Sequence, residues 1–312
     1  MILKLKPHFV EKIWGGNKIK EIFSLATDQK IGEAWIASGI KDNQSIILKN
    51  KEEIELNAFY KNNKKLFNNY KTADFPLLIK FLDAKEDLSI QVHPNNKQAQ
   101  ELENYPYGKS EAWYILNLEK NHEIIIGLKT TDLNQLKKIN KDNWEKIINI
   151  RKVKIGNVFD IKPGTVHAIR SGTFVYEIQQ PSDITYRIYD YDRLEQNGKK
   201  RELHLEKSIK VVKDYQNNES DYKSEVNFLN LRILQLINNE IFNLQKWHIF
   251  DNSEIKLNAD ERNFLIVTAI KGKGKINQIE ILPFETLILT YDELKKITLE
   301  GNFEMLVANP KN

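Results

Sequence analysis

The sequence contains no cysteine among its 312 residues. Disulfide bonds, thiolate nucleophiles and cysteine-ligated zinc sites are therefore excluded. Any metal ion would have to be held by imidazole nitrogens, carboxylates or amide oxygens.

An excess of one charge and long apolar runs are also missing. Lysine and arginine together number 47 against 43 acidic residues, a formal charge of +4. No basic stripe interleaved with aromatics stands out, so nucleic acid is not expected as a partner. The stretch "MILKLKPHFVEKIWGG" has no signal-peptide core, and no apolar run reaches membrane-spanning length. We therefore expect a cytoplasmic protein without a membrane partner. Its expected oligomeric state is a monomer, although one chain does not show this.

Short strand-like segments separated by turn residues make up most of the chain. Clear examples are "FPLLIKFL", "EAWYILNL", "EIIIGL" and "TFVYEIQQ". Apolar residues at helical spacing predict two amphipathic helices, 57–70 and 131–150, and a short third helix after "HPNN". This pattern indicates a mainly β protein of the sandwich or jelly-roll class. We place a domain boundary near residue 222, which gives two β domains, 1–222 and 223–312.

The segment "SIQVHPNN" carries its polar residues in a single row. Ser89, Gln91 and His93 alternate with Ile90 and Val92. Side chains alternate faces along a strand. The hydroxyl, the amide and the imidazole are therefore predicted to point to the same side of the sheet.

Two further strands offer matching polar faces. In "GKSEAWYIL", Lys109 and Glu111 share a face, and in "PGTVHAI" an imidazole follows a Pro-Gly turn. If these faces line one interior, an amide, two imidazoles and one carboxylate come together there. Such a set of nitrogen and oxygen ligands suits zinc and leaves room for water or substrate. The four candidate ligands are Gln91, His93, Glu111 and His167.

Each of these residues also has a plainer, structural interpretation. A lone strand histidine such as His93 is more often hydrogen-bonded in a core than bound to a metal, Glu111 alone could be a rim carboxylate, and His167 could merely cap a hairpin. Only their conjunction favours a metal site. The other histidines have no comparable polar neighbours and are predicted to be structural: His8, His122, His204 and His248.

A third polar cluster lies in "YEIQQPSDITYRIYDYDR". Asp183, Thr185, Arg187 and Tyr189 are predicted on one strand face, with Glu177 on the strand before. The plainer interpretation is an edge strand with surface ion pairs. An arginine in mid-strand, however, needs a carboxylate or a substrate as its partner. Together with the lysine of "GKSE" it would place positive charge beside the metal, which suits an anionic, oxygen-rich ligand.

The run "LSIQVHPNN…GKSEAWYIL…KPGTVHAI…GTFVYEIQQPSDITYRIYDYDR" resembles the type I mannose-6-phosphate isomerases in their short bacterial form. The resemblance also covers "LKPHFVEKIWGG" and "IGEAWIAS" and extends over nearly the whole chain. It implies cupin domains with a small helical insertion near 131–150, one zinc ion per chain and interconversion of mannose 6-phosphate and fructose 6-phosphate. The C-terminal domain, which has no row of histidine and glutamate, is expected to be a cupin-like β domain without metal. Carried over motif by motif, the resemblance implies the metal ligands Gln91, His93, Glu111 and His167, a catalytic Arg187, a substrate-handling Lys109 and a Ser89 near the phosphate.

The chemistry of such a reaction constrains the site. Turning an aldose into a ketose moves a proton between C2 and C1 through a cis-enediol, and negative charge develops on both oxygens. A metal ion stabilises that charge, and a base must come within about 3 Å of the proton. The sequence leaves the base open among Lys109, Glu177, Asp183 and a water on the zinc. Arg187 would either stabilise the enediolate or bind phosphate, and the resemblance favours the first.

Two other classes of function stay open at this point. Two histidines and one carboxylate also compose the iron site of non-haem oxygenases. A cupin that binds sugar without catalysis would need a similar cavity. Gln91 as a fourth ligand, together with Lys109 and Arg187, favours the isomerase over both.

Overall fold

The computed structural model describes residues 1–49, 52–119, 123–195, 197–213 and 224–311. Strands dominate this part of the chain, because its β-branched and aromatic residues pack well on pleated surfaces. The predicted mainly β, cupin-type fold class is confirmed. His122 and the predicted boundary at residue 222 lie outside the described residues.

The strands of the described residues are short, apart from two long ones near the C-terminal end. In chain order they are β1 (Ile2–Lys6), β2 (His8–Gly16), β3 (Ile31–Ala37), β4 (Ile46–Lys49), β5 (Glu52–Glu55), β6 (Leu78–Ala84), β7 (Ile90–Val92), β8 (Glu111–Leu118), β9 (Glu123–Leu128), β10 (Ile148–Lys152), β11 (Val158–Ile161), β12 (His167–Ile169), β13 (Thr173–Gln179), β14 (Tyr186–Tyr189), β15 (Ser224–Asn227), β16 (Leu231–Asn238), β17 (Phe242–Ile249), β18 (Ser253–Ile255), β19 (Leu265–Ile276), β20 (Ile279–Ile281), β21 (Thr286–Leu289) and β22 (Ile297–Pro310).

The helices are all short. They are α1 (Lys18–Ile22), α2 (Leu56–Asn62), α3 (Asn96–Glu103), α4 (Trp144–Ile147), α5 (Leu205–Val211) and α6 (Ala259–Arg262), with 3₁₀ turns at Lys64–Phe67, Leu133–Lys138 and Tyr291–Lys295. Within the described ranges, no helix has the length and apolar character needed to cross a membrane.

Packing divides the chain into two compact units. One, termed the eleven-stranded unit, comprises Met1–His8, Trp35–Ile79 and Ser220–Asn312; the other, termed the two-sheet unit, comprises Phe9–Ala34 and Lys80–Glu219. The predicted boundary near residue 222 places Met1–His8 and Trp35–Ile79 in the N-terminal domain, 1–222, whereas packing places them with the C-terminal strands. They pack with the C-terminal strands because β1 pairs with β21 on one side and with β4 on the other.

The eleven-stranded unit is one antiparallel system. Its strands follow the order β15-β16-β17-β22-β19-β21-β1-β4-β5, with β18 paired to β22 and β20 paired to β19. Apolar side chains from β17, β19, β21 and β22 form its core, which includes Trp247, Val267, Leu287 and Val307. Alternate residues of these strands supply the core, as the period of a strand requires.

The two-sheet unit is built on a five-stranded sheet, β10-β9-β12-β7-β14, and a six-stranded sheet, β11-β8-β13-β6-β2-β3. One apolar cluster joins the five-stranded sheet to its helical cover and contains Ile90, Ala168 and Trp144. A second cluster combines residues of both sheets, among them Ile169 and Trp113. The second cluster therefore marks where the inner faces of the two sheets meet.

The predicted helix over 131–150 is wrong as a single helix. The structure has a 3₁₀ turn at Leu133–Lys138, then the one-turn α4, then strand β10. The amide N–H of Asn140 donates to Oδ1 of Asn143 at 2.8 Å, and side-chain bonds of this kind compete with helical ones. The apolar residues that gave the helical spacing still pack on the five-stranded sheet: Leu136, Trp144 and Ile147.

The other two predicted helices have different outcomes. The helix over 57–70 divides into α2 and a 3₁₀ turn, because Asn63 leaves the helical region with φ −130° and ψ 40°. The helix after "HPNN" is confirmed as α3. Its N-cap is Asn95, whose side chain accepts the N–H of Gln98 at 2.9 Å, and the Gln98 side chain in turn accepts the N–H of Asn95.

Candidate metal centre and substrate cavity

The polar row lies on one face of strand β7 and of the residues that flank it. Ile90 and Val92 pack into the apolar cluster under the helical cover, so Ser89, Gln91 and His93 face the opposite side. Ser89 and His93 are buried, and Ser89 Oγ donates to Gln91 Oε1 at 3.5 Å. The polar row therefore lies toward the six-stranded sheet.

His93, Glu111 and His167 converge from the two sheets. The Nε2 atoms of His93 and His167 are 3.1 Å apart. Glu111 Oε1 lies 3.2 Å from Nε2 of His167, and its Oε2 lies 3.6 Å from Nε2 of His93. All three residues are buried, and their ligand-type atoms lie within 4.8 Å of one another. Two ligands of a tetrahedral zinc ion lie about 3.4 Å apart, so this spacing fits a single ion.

The two imidazoles are oriented by main-chain carbonyls. His93 Nδ1 lies 2.8 Å from the carbonyl oxygen of Ile184, and His167 Nδ1 lies 2.9 Å from that of Thr165. A carbonyl only accepts, so each Nδ1 carries the proton and each Nε2 keeps its lone pair. Burial, followed by Lys109 and His167, holds the pKa of His93 well below its usual range. Burial also lowers the pKa of His167, to about 4. Both rings are therefore neutral, as metal ligation requires.

The Glu111 carboxylate has unsatisfied oxygens. It is fully buried, and neither oxygen accepts a hydrogen bond from any described residue. The Lys109 ammonium is 3.0 Å from its Oε2 and 3.3 Å from His93 Nε2. A buried carboxylate is costly unless its charge and lone pairs are compensated. The donor set therefore fits a divalent metal ion.

Gln91 lies beside this cluster, with its amide turned away from the orientation that a ligand needs. Its Nε2 is 3.4 Å from His167 Nε2, while its Oε1 accepts from Ser89. A half-turn of the amide would exchange the two atoms and direct the oxygen toward the cluster. The predicted amide ligand is thus in reach of the cluster, through that rotation.

A close backbone contact holds the motifs "GKSE" and "HPNN" together. A Cβ atom on Gly108 would lie 2.4 Å from the carbonyl oxygen of Pro94 and 2.4 Å from the carbonyl carbon of Asn95, so only glycine fits there. The contact lets the N–H of Lys109 donate to Pro94 O at 2.9 Å. The start of β8 is thereby fixed against the end of the histidine strand.

A cavity of about 260 Å³ opens beside the cluster. Its lining combines several cations with fewer carboxylates, and such a lining favours a polar ligand that carries negative charge. The cations are Lys12, Lys80, Lys109, Arg187 and Arg201, and the carboxylates are Glu33, Glu177 and Asp183.

Sequence reasoning missed Lys80, although a signal was present. It is a lone charged residue in the apolar run "FPLLIKFL", where an unpaired lysine is not expected. Its Nζ lies 3.3 Å from Asp183 Oδ1 and 3.4 Å from Glu33 Oε2. Burial alone would lower the pKa of Lys80, but Glu33 and Asp183 raise it, so the ammonium stays charged. Glu33, within the apolar strand "IGEAWIA", gave the same kind of signal and was also missed.

Glu177 and Lys109 face the cavity in different charge states. Trp113 Nε1 donates to Glu177 Oε2 at 2.9 Å. Burial, followed by the neighbouring Glu111, raises the pKa of Glu177 to about 7. Burial alone would lower the pKa of Lys109, but Glu111 and Glu177 raise it. Near neutral pH, Glu177 is therefore able to accept and release a proton, whereas Lys109 remains a cation.

Three of the four polar residues predicted on this strand face lie at the cavity, although only Arg187 belongs to β14 and the other two precede it. Asp183, Thr185 and Arg187 line the cavity. The register with β7 shifts between Arg187 and Tyr189, and Tyr189 packs into the apolar cluster with Ile188. Such a bulge redirects the residues that follow it. The predicted shared face is therefore wrong for Tyr189.

The fold and the cluster together define a cupin-type β protein with a buried site for a metal ion, formed by two histidines and one carboxylate beside a cation-rich cavity. The comparisons with known proteins agree with this class. Residues 2–139 match the family model of the phosphomannose isomerase type I catalytic domain. The chain is 36% identical to mannose-6-phosphate isomerase ManA of Bacillus subtilis, with 98% of both chains covered. It is 32% identical to mannose-6-phosphate isomerase of Streptococcus mutans, again over 98% of both.

A solved structure extends the similarity to three dimensions. The crystal structure of the mannose 6-phosphate isomerase from Bacillus subtilis matches with a TM-score of 0.91 and 32% identity over 99% of both chains. The protein therefore belongs to the type I phosphomannose isomerase family, and the resemblance seen in its motifs is confirmed.

Proposed function

We propose that the protein is a zinc-dependent aldose–ketose isomerase that interconverts mannose 6-phosphate and fructose 6-phosphate through a cis-enediol. Its relatives are named for this activity. The observation in this chain that carries the proposal is the buried cluster of His93, Glu111 and His167 beside the cation-rich cavity. Zinc is the proposed ion because it takes nitrogen and oxygen ligands and keeps an open position in catalytic sites. A cytoplasmic, monomeric protein remains the expectation.

The ligands of this proposal are Gln91, His93, Glu111 and His167. When bound, the ion would polarise the sugar oxygens at C1 and C2 and offset the charge that develops there. The protein keeps both Nε2 atoms aimed at one point by holding both Nδ1 protons on main-chain carbonyls. Glu111 would supply the negative charge of the ligand set.

Glu177 is the proposed proton carrier between C2 and C1. Of the three side chains considered, Lys109 is held as a cation by two carboxylates. Asp183 is half-exposed and paired with Lys80, so we assign it to orienting that lysine. Glu177 is buried, lines the cavity and has a pKa raised to about 7. A base with a pKa near the working pH is the most effective in both directions of a proton transfer.

Fixed cations would stabilise the enediolate and the phosphate. Lys109 adjoins the metal ligands, so its charge acts near C1 and C2. Arg187 carries a planar guanidinium at the cavity wall, and we assign it to the developing charge. Ser89 remains the candidate nearest the phosphate. Fixed charges of this kind need no reorganisation during the reaction.

A coupled assay for fructose 6-phosphate tests the proposal. Turnover of mannose 6-phosphate should disappear after chelation, return with zinc, and proceed equally well without oxygen. Full turnover in protein with no detectable metal would refute the metal site. Oxygen-dependent turnover would indicate the oxygenase class, and saturable sugar binding without product would indicate a binding protein.

A further inference from the structure

The main chain of Arg187 is held from outside the sheet by His204. Strand β14 is an edge strand of the five-stranded sheet, so its outward-facing peptide groups need other partners. His204 provides two: its N–H donates to Arg187 O at 2.7 Å, and its imidazole Nδ1 accepts the N–H of Arg187 at 3.2 Å. The ring nitrogen takes the place that a carbonyl of a neighbouring strand would have.

The guanidinium of Arg187 rests on the same segment. Its Nη1 donates to the carbonyl oxygen of Glu202 at 2.7 Å, whereas its buried Nε has no acceptor among the described residues. The segment from Arg201 to His204 thus contacts Arg187 at its N–H, its C=O and its side chain. One donor of the guanidinium is thereby held by a main-chain carbonyl, and Arg187 also lines the cavity.

Both ends of this segment are anchored. Arg201 Nε donates to Asp190 Oδ2 at 2.8 Å, and its Nη2 donates to Oδ1 of the same carboxylate. At the other end His204 is the N-cap residue of α5, and its carbonyl accepts the N–H of Ser208 at 2.8 Å. The support beneath Arg187 is therefore fixed on both sides, and His204 is the point where helix, segment and strand meet.

We propose that His204 is a positioning residue for catalysis: the lone pair of its Nδ1, together with its N–H, fixes the main chain of Arg187 so that the guanidinium points into the cavity. This inference rests on the proposed function, in which Arg187 acts on the substrate. It requires the tautomer with the proton on Nε2, because Nδ1 has to accept. A protonated ring would present two donors and would repel the N–H of Arg187.

The surroundings of His204 favour the neutral ring. Burial and then Arg187 lower its pKa below the usual range, with Lys207 acting in the same direction and Glu202 and Glu103 opposing it. The titratable and charged groups near the ring come from its own segment, from α3 and the residues just after it, and from α5 and β14: Glu202, Glu103, Tyr105, Lys207, Tyr186 and Arg187. Near pH 7 the acceptor is present, and acidification through this lowered pKa removes it.

Two substitutions separate the acceptor from the bulk of the side chain. In His204→Asn, Oδ1 stands at the same bond position as Nδ1, and asparagine is a favourable N-cap. His204→Leu keeps the size and loses the acceptor. We expect the leucine variant to lose up to roughly 100-fold in kcat on mannose 6-phosphate with KM nearly unchanged, because small misplacements of a catalytic group have effects of this size. The asparagine variant should stay close to wild type at pH 7.

The pH profile gives a readout that a merely structural role would not move. The acceptor of the asparagine variant does not titrate, so its kcat relative to wild type should rise as the pH falls through the lowered pKa of His204. In an Arg187→Ala background, His204→Leu should cause no additional loss, because the two residues act as one unit. His248→Leu, a change in the other unit, controls for the loss of an imidazole as such.

The positioning role of His204 and the isomerase proposal can fail independently of each other. A folded His204→Leu variant with wild-type kcat, or one that loses as much again in the Arg187→Ala background, would overturn the positioning role and leave the isomerase proposal intact. If the leucine variant does not fold, the pH profile decides. A kcat that falls in parallel for wild type and His204→Asn as the pH is lowered would overturn the positioning role. A wild-type protein without any turnover would refute the proposed function, and this assignment with it.

Discussion

Four ionisable side chains at the cavity and the adjoining histidine cluster are almost fully buried, and each has a neighbour of opposite charge or an imidazole within reach: Lys80, Lys109, Glu111 and Glu177. Removing one partner of such a pair leaves a buried charge uncompensated, at a cost of about 3–5 kcal/mol. Substitutions at these positions therefore mix loss of folding with loss of chemistry. Arg187 is only partly buried and gives a cleaner test of catalysis.

Arg187→Ala should lower kcat with little change in KM. If the guanidinium acts on charge that appears only in the transition state, its loss affects the reaction and spares ground-state binding. Losing one such donor corresponds to about 2.7–4 kcal/mol, or roughly 10²–10³ in rate. Steady-state kinetics on mannose 6-phosphate measures both parameters. A raised KM with unchanged kcat would instead make Arg187 an anchor for phosphate.

Arg187→Lys is the companion variant. It keeps the positive charge and loses the planar fork, so it should recover little activity if geometry matters. Recovery of most of the rate would show that charge alone suffices. Metal content has to match wild type in both variants for the comparison to hold.

Glu111→Gln should sharply reduce metal affinity. The amide preserves shape but removes the only carboxylate of the cluster, whose oxygens lie 3.2 Å and 3.6 Å from the two histidine Nε2 atoms. Metal content after dialysis against buffer measures the effect. Glu177→Gln is the matched control: the same change at a neighbouring buried carboxylate should leave metal content intact while sharply lowering kcat, because it removes the proposed proton carrier. Retention of metal in Glu111→Gln would remove it from the ligand set.

Elements differ in how far the sequence predicts them. Strands β8 and β9 have the bounds suggested by "EAWYILNL" and "EIIIGL", because alternation along a strand is a local property. The faces of His93, Glu111 and His167 follow from the same rule. The bulge that turns Tyr189 into the core depends on the ladder with β7, which leaves no local signature. The helix over 131–150 failed because strand pairing with β9 outweighs a helical spacing of apolar residues.

The turn after β14 depends on one buried carboxylate. Asp190 accepts hydrogen bonds from Arg193 and Arg201. Asp190→Asn should lower the free energy of unfolding by roughly 1.5–3 kcal/mol, the size of a hydrogen bond to a charged group. Chemical denaturation near pH 7 measures the difference. An unchanged stability would mean that the two arginines find equal partners elsewhere.

The difference in the free energy of unfolding between wild type and Asp190→Asn should depend on pH in a defined direction. Burial alone would raise the pKa of Asp190, but the bonds from Arg201 and Arg193 lower it below its ordinary value. A lowered folded-state pKa gives stability that is complete above the unfolded pKa of about 3.9 and is lost as the pH falls through the folded pKa. Wild type and variant should thus converge in acid. Asp192→Asn, at an exposed carboxylate paired with Lys200, should change stability by no more than about 0.5 kcal/mol at any pH.

At the scale of the whole molecule, pairing between distant parts of the chain decides the units. Leu3 is paired with Ile288 through β1 and β21, a partnership that no local composition indicates. The predicted boundary near residue 222 rests on a change of composition, and composition reports only on residues that are adjacent in sequence. The metal-type cluster, by contrast, lies wholly within the two-sheet unit, so its effect on stability should be confined to that unit.

Removal of the metal should therefore destabilise the two-sheet unit selectively. An ion that binds only the folded state stabilises it by RT ln(1 + [L]/Kd), about 2.7 kcal/mol at a hundredfold excess over Kd. Without the ion, the buried Glu111 carboxylate keeps Lys109 as its compensating charge and accepts no hydrogen bond from the described residues. Calorimetry of the whole protein with and without chelator should show one transition moving to lower temperature while a second stays in place. Glu111→Gln should abolish the difference between the two scans, because the variant no longer binds the ion in either. Equal scans for the wild-type protein with and without metal would contradict the site, whereas a single transition that shifts as a whole would mean that the two units unfold as one.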